Sequence, residues 1–250
     1  MNRPPLLLGS LVTVLTVLIP LSLSLGSVDF PLWQAIQDAL QQLDTVPGLI
    51  LMELRLPRTL IALLVGASLG LCGAALQGLL RNPLASPGLL GSSSGAALCA
   101  VITLYFGLQS YASWLLPLAG MLGALLATVL VYLIAGQQSS ITTLILAGVA
   151  VNAACAAGIS LAINLAPSPY AVSEIALWLL GDLSKTSLDG LALMLPTTLL
   201  GWGLLMGCGR GLNALSLGEQ TARSMGINLN RLRWQLFLAT ALAIGAAVAT

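Results

Sequence analysis

Histidine is absent from this 250-residue chain. That removes histidine-ligated zinc, bis-histidine haem and a serine–histidine–aspartate triad at once. The four cysteines, Cys72, Cys99, Cys155 and Cys208, stand far apart in or beside apolar stretches. Without a C-x-x-C pair they read as small packing residues, and no metal site is expected. An intramembrane enzyme would need paired acids or a serine–histidine pair within the apolar stretches. Asp182 follows Gly181, but it has no second intramembrane aspartate beside it. No Gly-x-x-x-x-Gly-Lys-Ser/Thr loop is present to cradle a nucleotide. Recognition and movement remain, and they rest on arginines, caps, amides and small residues.

Arg55 and Arg58 flank Leu56-Pro57 just before an apolar run. Their forks suit bidentate contact with carboxylates; simple snorkelling at the start of a membrane helix is the plainer alternative. Ser216 and Glu219 have capping-box spacing, which predicts a helix from about Leu217. Arg223 would lie in its last turn, and Gly226 would close it left-handed. Gly148, Asn152, Ala156, Ser160 and Asn164 recur every four residues in an apolar stretch. Two amides and a hydroxyl there serve helix–helix hydrogen bonding or line an uncharged solute path. Gly66, Gly70, Ala74 and Gly78 have the same spacing, which lets helix backbones approach in lipid.

The elements that must position these groups are membrane helices. Only 7% of residues are charged, 58% are hydrophobic and the mean hydropathy is +0.99. An ordinary soluble domain carries roughly 25% charged residues. Charge-free runs cover 4–28, 59–80, 82–173, 190–209 and 234–250. A bilayer-spanning helix needs about 20 apolar residues. Spans are therefore expected at about 5–26, 58–80, 89–108, 112–135, 142–166 and 190–208, with a seventh beginning near Trp234. Residues 27–57 read as an interfacial or external segment, and 167–189 as an aqueous loop with a short helix around Trp178. Residues 208–233 read as a polar loop. With the N-terminus in the cytoplasm, Arg3, Arg81, Arg210, Arg223, Arg231 and Arg233 fall inside with one acid, Glu219. Arg55, Arg58 and Lys185 fall outside with the other acids, and the positive-inside rule favours this orientation. The net charge of +1 and the lack of a basic cluster argue against a nucleic-acid partner. The absence of buried charge argues against proton or sodium coupling. The chain stops at Thr250 inside the seventh span, which reads as an incomplete sequence.

Several motifs recur in one order. They are Glu53-Leu54-Arg55-Leu56-Pro57-Arg58-Thr59-Leu60; Gln77; Arg81-Asn82-Pro83-Leu84-Ala85-Ser86-Pro87-Gly88-Leu89-Leu90-Gly91; Leu146-Ala147-Gly148-Val149; Trp178-Leu179-Leu180-Gly181; and Leu217-Gly218-Glu219-Gln220-Thr221-Ala222-Arg223-Ser224-Met225-Gly226. Over about residues 50–250 the chain resembles the FecCD-type permeases, membrane subunits of bacterial ABC importers for iron–siderophores, haem and vitamin B12. The resemblance implies an all-α, polytopic helical membrane protein with the vitamin B12 importer-like permease fold. That fold has about ten helices when complete, and about seven are begun here. It implies a single permease domain over 1–250, incomplete at its C-terminus, with a coupling loop at 209–233. The implied function is ATP-driven import of a metal chelate across the bacterial cytoplasmic membrane, iron–siderophore first, haem or cobalamin next. A zinc- or manganese-type ABC permease is the alternative; it should lack the Arg-Leu-Pro-Arg and Asn-Pro-Leu-Ala-x-Pro-Gly patterns.

By the same resemblance the subunit is not an enzyme and carries no cofactor, since ATP and magnesium belong to the partner ATPase. Its implied partners are two ATPase subunits, a second permease subunit, a periplasmic or lipid-anchored solute-binding protein, the chelate and the bilayer. Arg55 and Arg58 would dock the binding protein. Leu217, Gly218, Glu219, Ala222, Arg223 and Gly226 would form the coupling helix. Asn82, Leu84, Ser140, Ile141 and Thr142 would narrow the cytoplasmic gate.

Overall fold

The computed structural model describes residues 4–26, 28–41, 43, 45–136, 140–181, 183 and 186–249. Every regular element among them is helical. Two compact units are formed, Met1–Leu63 with Leu183–Leu191, and Leu64–Asp182 with Ala192–Thr250. Arg3, Asp44, Asp182, Lys185 and Thr250, which entered the charge count and the reading of the chain's end, lie outside the described residues.

In the first unit, α1 (Pro4–Ser24) is apolar, and its side chains from Leu6 onward are mostly exposed. Such a helix is stable only where lipid surrounds it. After α2 (Leu32–Leu40), Thr45 caps α3 (Val46–Leu49), accepting from the Gly48 N–H at 3.3 Å and donating to the Asp38 carboxylate at 2.7 Å. A π-helical turn, Ile50–Arg55, joins α3 to α4 (Leu56–Leu80). The apolar helix thus runs unbroken over Val46–Leu80, 35 residues. The sequence places its start near 58 and leaves 27–57 outside, so the span begins earlier than expected. Pro57 has no N–H for the carbonyl four residues back, and a widened turn just before it absorbs that clash without ending the helix.

In the second unit the prolines after α4 act as anticipated. Arg81 has φ 48°, the only positive φ outside glycine among the described residues. Asn82 Oδ1 then accepts from the Leu84 N–H at 2.9 Å, an Asx turn. A short 3₁₀ turn, Pro87–Leu90, is closed by Gly91 at φ 76°, and α5 (Ser92–Tyr105) follows. The single span expected at 89–108 is therefore two pieces. At ~1.5 Å per residue α5 rises about 21 Å, and the turn adds roughly 8 Å at ~2.0 Å per residue. Together they approach the ~30 Å hydrocarbon core.

The remaining helices are α6 (Leu115–Ala135), α7 (Ile141–Asn164), α8 (Pro169–Leu180), α9 (Leu188–Gly207), α10 (Gly209–Ser216), α11 (Glu219–Ser224) and α12 (Leu229–Ala249). Ser140 caps α7 by accepting from Thr143 N–H at 3.1 Å, and Ser168 caps α8 by accepting from Ala171 N–H at 3.2 Å. Among the described residues, six helices are long and apolar enough to cross a membrane. The protein is an all-α, polytopic helical membrane protein.

Two local expectations are corrected. Residues 208–233 are mostly helical, and α12 begins at Leu229, so Arg231 and Arg233 belong to its first turns. The capping box does not form. Ser216 is the last residue of α10 and its hydroxyl donates to Asn213 O at 2.7 Å. A residue already in helical conformation cannot serve as an N-cap. Gly218, at φ 109°, makes the break instead, and α11 starts at Glu219.

Close packing rests on other small residues than those predicted. A Cβ on Gly95 of α5 would lie 2.5 Å from Gly123 O of α6, and one on Gly120 would lie 2.6 Å from Ala249 Cβ of α12. Gly66, Gly70 and Ala74 of α4 are exposed, with nothing within 4 Å of the two glycines. Gly78 meets only Leu212 Cδ2, at 3.6 Å. The buried ridge of α4 is a neighbouring row, Ser68, Cys72, Leu76 and Leu79. Of the predicted row, only Gly78 comes against another described helix, at Leu212 of α10.

Candidate functional site

One end of the second unit gathers three connections that are distant in sequence. Leu80 at the end of α4 and Ala85 after it, Tyr132 at the end of α6, Leu144 at the start of α7, Ala222 of α11 and Leu229 of α12 share one apolar cluster. The segments that follow α4, precede α7 and link α9 to α12 therefore meet at one end. Arg81, Arg210, Arg223, Arg231 and Arg233 lie on these segments. The opposite end has its own cluster, in which Val101 and Leu104 of α5 meet Ile175 of α8. There Gln109 Nε2 donates to Glu174 Oε1 at 2.6 Å and Tyr105 OH to Leu165 O at 2.9 Å. The described charges of the second unit thus separate by sign between its ends, apart from Glu219.

Glu219 explains itself by its partner. Arg233 Nη2 lies 3.2 Å from Glu219 Oε1, and the arginine side chain is only 9% exposed. The next residue, Trp234, stacks on Tyr132 with ring centroids 4.0 Å apart. A chain of contacts thus runs from α11 through the start of α12 to the end of α6. Sequence reasoning missed Arg233, Trp234 and Tyr132. A lone acid in a basic segment was the signal that it needed a nearby cation.

The body of α11 is held from below. Ala222 is fully buried. Gly226, at φ 80°, donates to Arg223 O at 3.0 Å, and Ile227 N–H donates to Ala222 O at 3.0 Å, which closes the helix left-handed. Leu217 and Met225 at its two ends are 65% and 59% exposed. An open cleft of about 400 Å³, lined by Arg223, Gly226, Ile227, Asn228, Leu229 and Asn230, lies beside it. The result is a short, rigid helix presenting apolar and basic groups outward.

The candidate gate residues stand at the same end. Leu84 is 84% exposed beyond the Asx turn of Asn82. Gln77 Nε2 pins the turn by donating to Pro83 O at 3.1 Å. Ser140 is the cap of α7, Ile141 packs on the apolar cluster, and Thr142 is exposed.

The polar row of α7 divides. A methyl on Gly148 would overlap the carbonyl oxygen of Leu89. Asn152 Nδ2 donates to Gly88 O at 2.9 Å, and Ser94 Oγ donates to Asn152 Oδ1. These two residues are committed to packing. Ala156, Ser160 and Asn164 are exposed, with Asn164 Nδ2 turned back to Ser160 O at 2.8 Å.

In the first unit the two arginines differ. Arg55 is 7% exposed. Its guanidinium donates to Leu23 O at 2.8 Å and to the carbonyls of Ser24 and Val28, and lies 4.2 Å from the Phe30 ring centroid. It closes the C-terminal end of α1 and has no face left for a partner's carboxylate, so its expected docking role does not fit this geometry. Arg58 is exposed, with Nε donating to Leu183 O at 3.1 Å, and its terminal nitrogens can take a second contact.

No group of three or more histidine, cysteine or acidic residues among the described ones is arranged to hold a metal. Cys208, just past α9, is fully buried, and desolvation pushes its thiol above the ordinary range.

Residues 14–250 match the model of the FecCD transport family. An ABC transporter permease protein of Bacillus subtilis is 38% identical over 94% of this chain and 70% of its own length. The hemin transport system permease of Yersinia pestis is 36% identical over 99% of this chain and 74% of its own. A vitamin B12 import permease of Pectobacterium atrosepticum is 38% identical, and the match spans 83% of this chain and 62% of that protein. A solved structure described as an inward-facing metal-chelate type ABC transporter superposes with a TM-score of 0.84 at 30% identity, covering 98% of this chain and 75% of that one. This chain, a multi-pass helical membrane protein, belongs to the FecCD transport family.

Proposed function

We propose that this chain is the permease subunit of a binding-protein-dependent ABC importer, moving a metal chelate into the cytoplasm by ATP-driven alternating access. Iron–siderophore is the leading substrate, with haem and cobalamin the neighbouring choices. The observation that carries the reading is the convergence at one end. The exposed helix α11, the loops around Asn82 and Ser140, and the basic residues all gather there. That end is cytoplasmic by the positive-inside rule, which puts the N-terminus in the cytoplasm of a bacterial inner membrane.

In this reading the ATPase pair grips α11, and a second permease subunit faces this one. A push on α11 passes through Glu219 and Arg233 into α12. It continues through Trp234 and Tyr132 to the end of α6, next to Ser140, Ile141 and Thr142. Coupling requires stiffness along such a line, because a flexible link would dissipate the motion. Arg58 is the base left for the solute-binding protein outside. Catalysis stays with the ATPase; this subunit binds neither nucleotide nor cofactor.

The test is uptake into vesicles holding the permease with its ATPase, supplied with binding protein. Labelled ferric siderophore, haem, cobalamin and free zinc or manganese are offered in turn. Uptake of a chelate, dependent on ATP and on the binding protein, is expected. Uptake of the bare metal ions alone would overturn the chelate assignment. Cross-linking Thr142 between two permease subunits should block transport.

A further inference from the structure

We infer that Asn152 is a latch that joins the two candidate gate segments into one moving body; this rests on the gating reading above. The break between the 3₁₀ turn and α5 is unusual ground inside a membrane domain. Helix ends expose backbone groups that lipid cannot satisfy. Asn152 lies roughly 17 Å along α7 from Ile141 at ~1.5 Å per residue, more than halfway into a ~30 Å core. At that depth its amide holds both sides of the break. Nδ2 donates to Gly88 O at 2.9 Å on the 3₁₀ turn, and Oδ1 accepts from Ser94 Oγ in the first turn of α5. Ser94 Oγ also lies 3.3 Å from Gly91 O, so the knot closes on itself.

The steric frame fits the knot. Gly148, one turn before Asn152, lets the Leu89 carbonyl sit against the backbone of α7. A Cβ on Gly91 would lie 3.1 Å from Val151 Cγ1. The segment 88–94 is thus clamped to α7 by amide, hydroxyl and close approach together. The Asn82–Leu84 turn begins a few residues before this clamp, and Ser140–Thr142 opens the clamped helix. Neither segment can shift by several ångströms alone without breaking the knot. An unpaired amide or carbonyl at that depth in a bilayer costs more than it would at an aqueous surface. The sequence row that read as pathway lining is, at Asn152, a mechanical joint.

The test needs no ATPase, so its failure is separate from failure of the transport reading. Spin labels are placed at Leu84 and Thr142 of the chain in lipid nanodiscs, and their distance distribution is measured by pulsed electron resonance. The parent should give one narrow distribution. Asn152→Leu should at least double its width, and Ser94→Ala should broaden it less. Thr128→Ala, which removes a buried hydroxyl that donates to Ala124 O of its own helix at 2.8 Å, should lower stability and leave the width unchanged. A broad parent distribution, or an Asn152→Leu width equal to the parent's, overturns the latch. If Asn152→Leu does not fold, Ser94→Ala decides: an unchanged width overturns the proposal and a broadened one supports it.

Discussion

Arg55 offers the sharpest quantitative test of how the first unit is held. The perturbation is Arg55→Ala. It removes hydrogen bonds to three carbonyls and the contact with the Phe30 ring, from a side chain that is 7% exposed. Hydrogen bonds to a charged donor contribute about 1.5–3 kcal/mol each. Water near a helix end can replace part of this, so ~1 kcal/mol net per bond is reasonable. The ring contact adds roughly 0.5–1 kcal/mol. The sum is about 4 kcal/mol of local stability, and ~1.4 kcal/mol is tenfold in an equilibrium constant. Opening of the segment after α1 should therefore become several hundred-fold more frequent. Hydrogen exchange by mass spectrometry, in detergent or nanodiscs, reads this directly. Amides in the last turn of α1, down to Leu25, which donates to Leu21 O at 2.9 Å, should exchange faster by two to three orders of magnitude, with α6 and α12 unchanged. Arg58→Ala should leave these amides alone. If Arg55→Ala changes exchange there by less than about threefold, the clamp is not what holds the end of α1.

Four other residues give further expected outcomes. Gly148→Ala should lower the melting temperature by several degrees, because the new methyl meets the Leu89 carbonyl, while Gly66→Ala, with nothing within 4 Å, should be neutral. Glu219→Arg puts a like charge against the 9%-exposed Arg233 and should uncouple ATP hydrolysis from uptake in assembled transporter, with Glu219→Gln milder. Arg58→Glu should weaken co-purification with the solute-binding protein more than Arg58→Ala; equal retention by both would remove its docking role. Cys208, buried with a raised pKa, stays protonated through neutral pH and should resist maleimide until the protein is unfolded. Its sign also gives a pH dependence: the unfolded chain releases this proton at lower pH, so stability should fall as pH rises past the ordinary thiol range.

Much of the fold was legible because bilayer helices announce themselves by length and charge alone. Spans at α1, α6, α7 and α9 were placed to within a few residues, and Gly-Pro breaks were read correctly after α4. Three things were not legible. The start of the helix over Val46–Leu80 hides under Glu53 and two prolines that look like a loop, because the π turn that carries it past Pro57 has no sequence signature. The start of α11 was misplaced because spacing shows that Ser216 could cap, while its backbone is already committed to α10. The small-residue rows could be recognised as rows, yet which face of a helix meets a neighbour depends on partners that periodicity does not name. Gly66 and Gly70 face outward, while Gly95 and Gly120 do the packing.

The π turn over Ile50–Arg55 also has a consequence for register. An α-helix turns about 100° per residue, and a π turn holds one residue more than its α equivalent. Deleting a single residue between Ile50 and Glu53 would convert it to ordinary helix without shortening α4. The shortened turn would still close one full circle, so α3 and what precedes it would keep nearly their present angle to α4. The same deletion in the regular helix after Arg55 would instead rotate everything before it by about 100° and carry the Thr45–Asp38 bond away from its present side. The extra residue works like a slack link between two shafts: it lets the chain lose a residue here while the angle at which α2 and α3 are presented stays fixed.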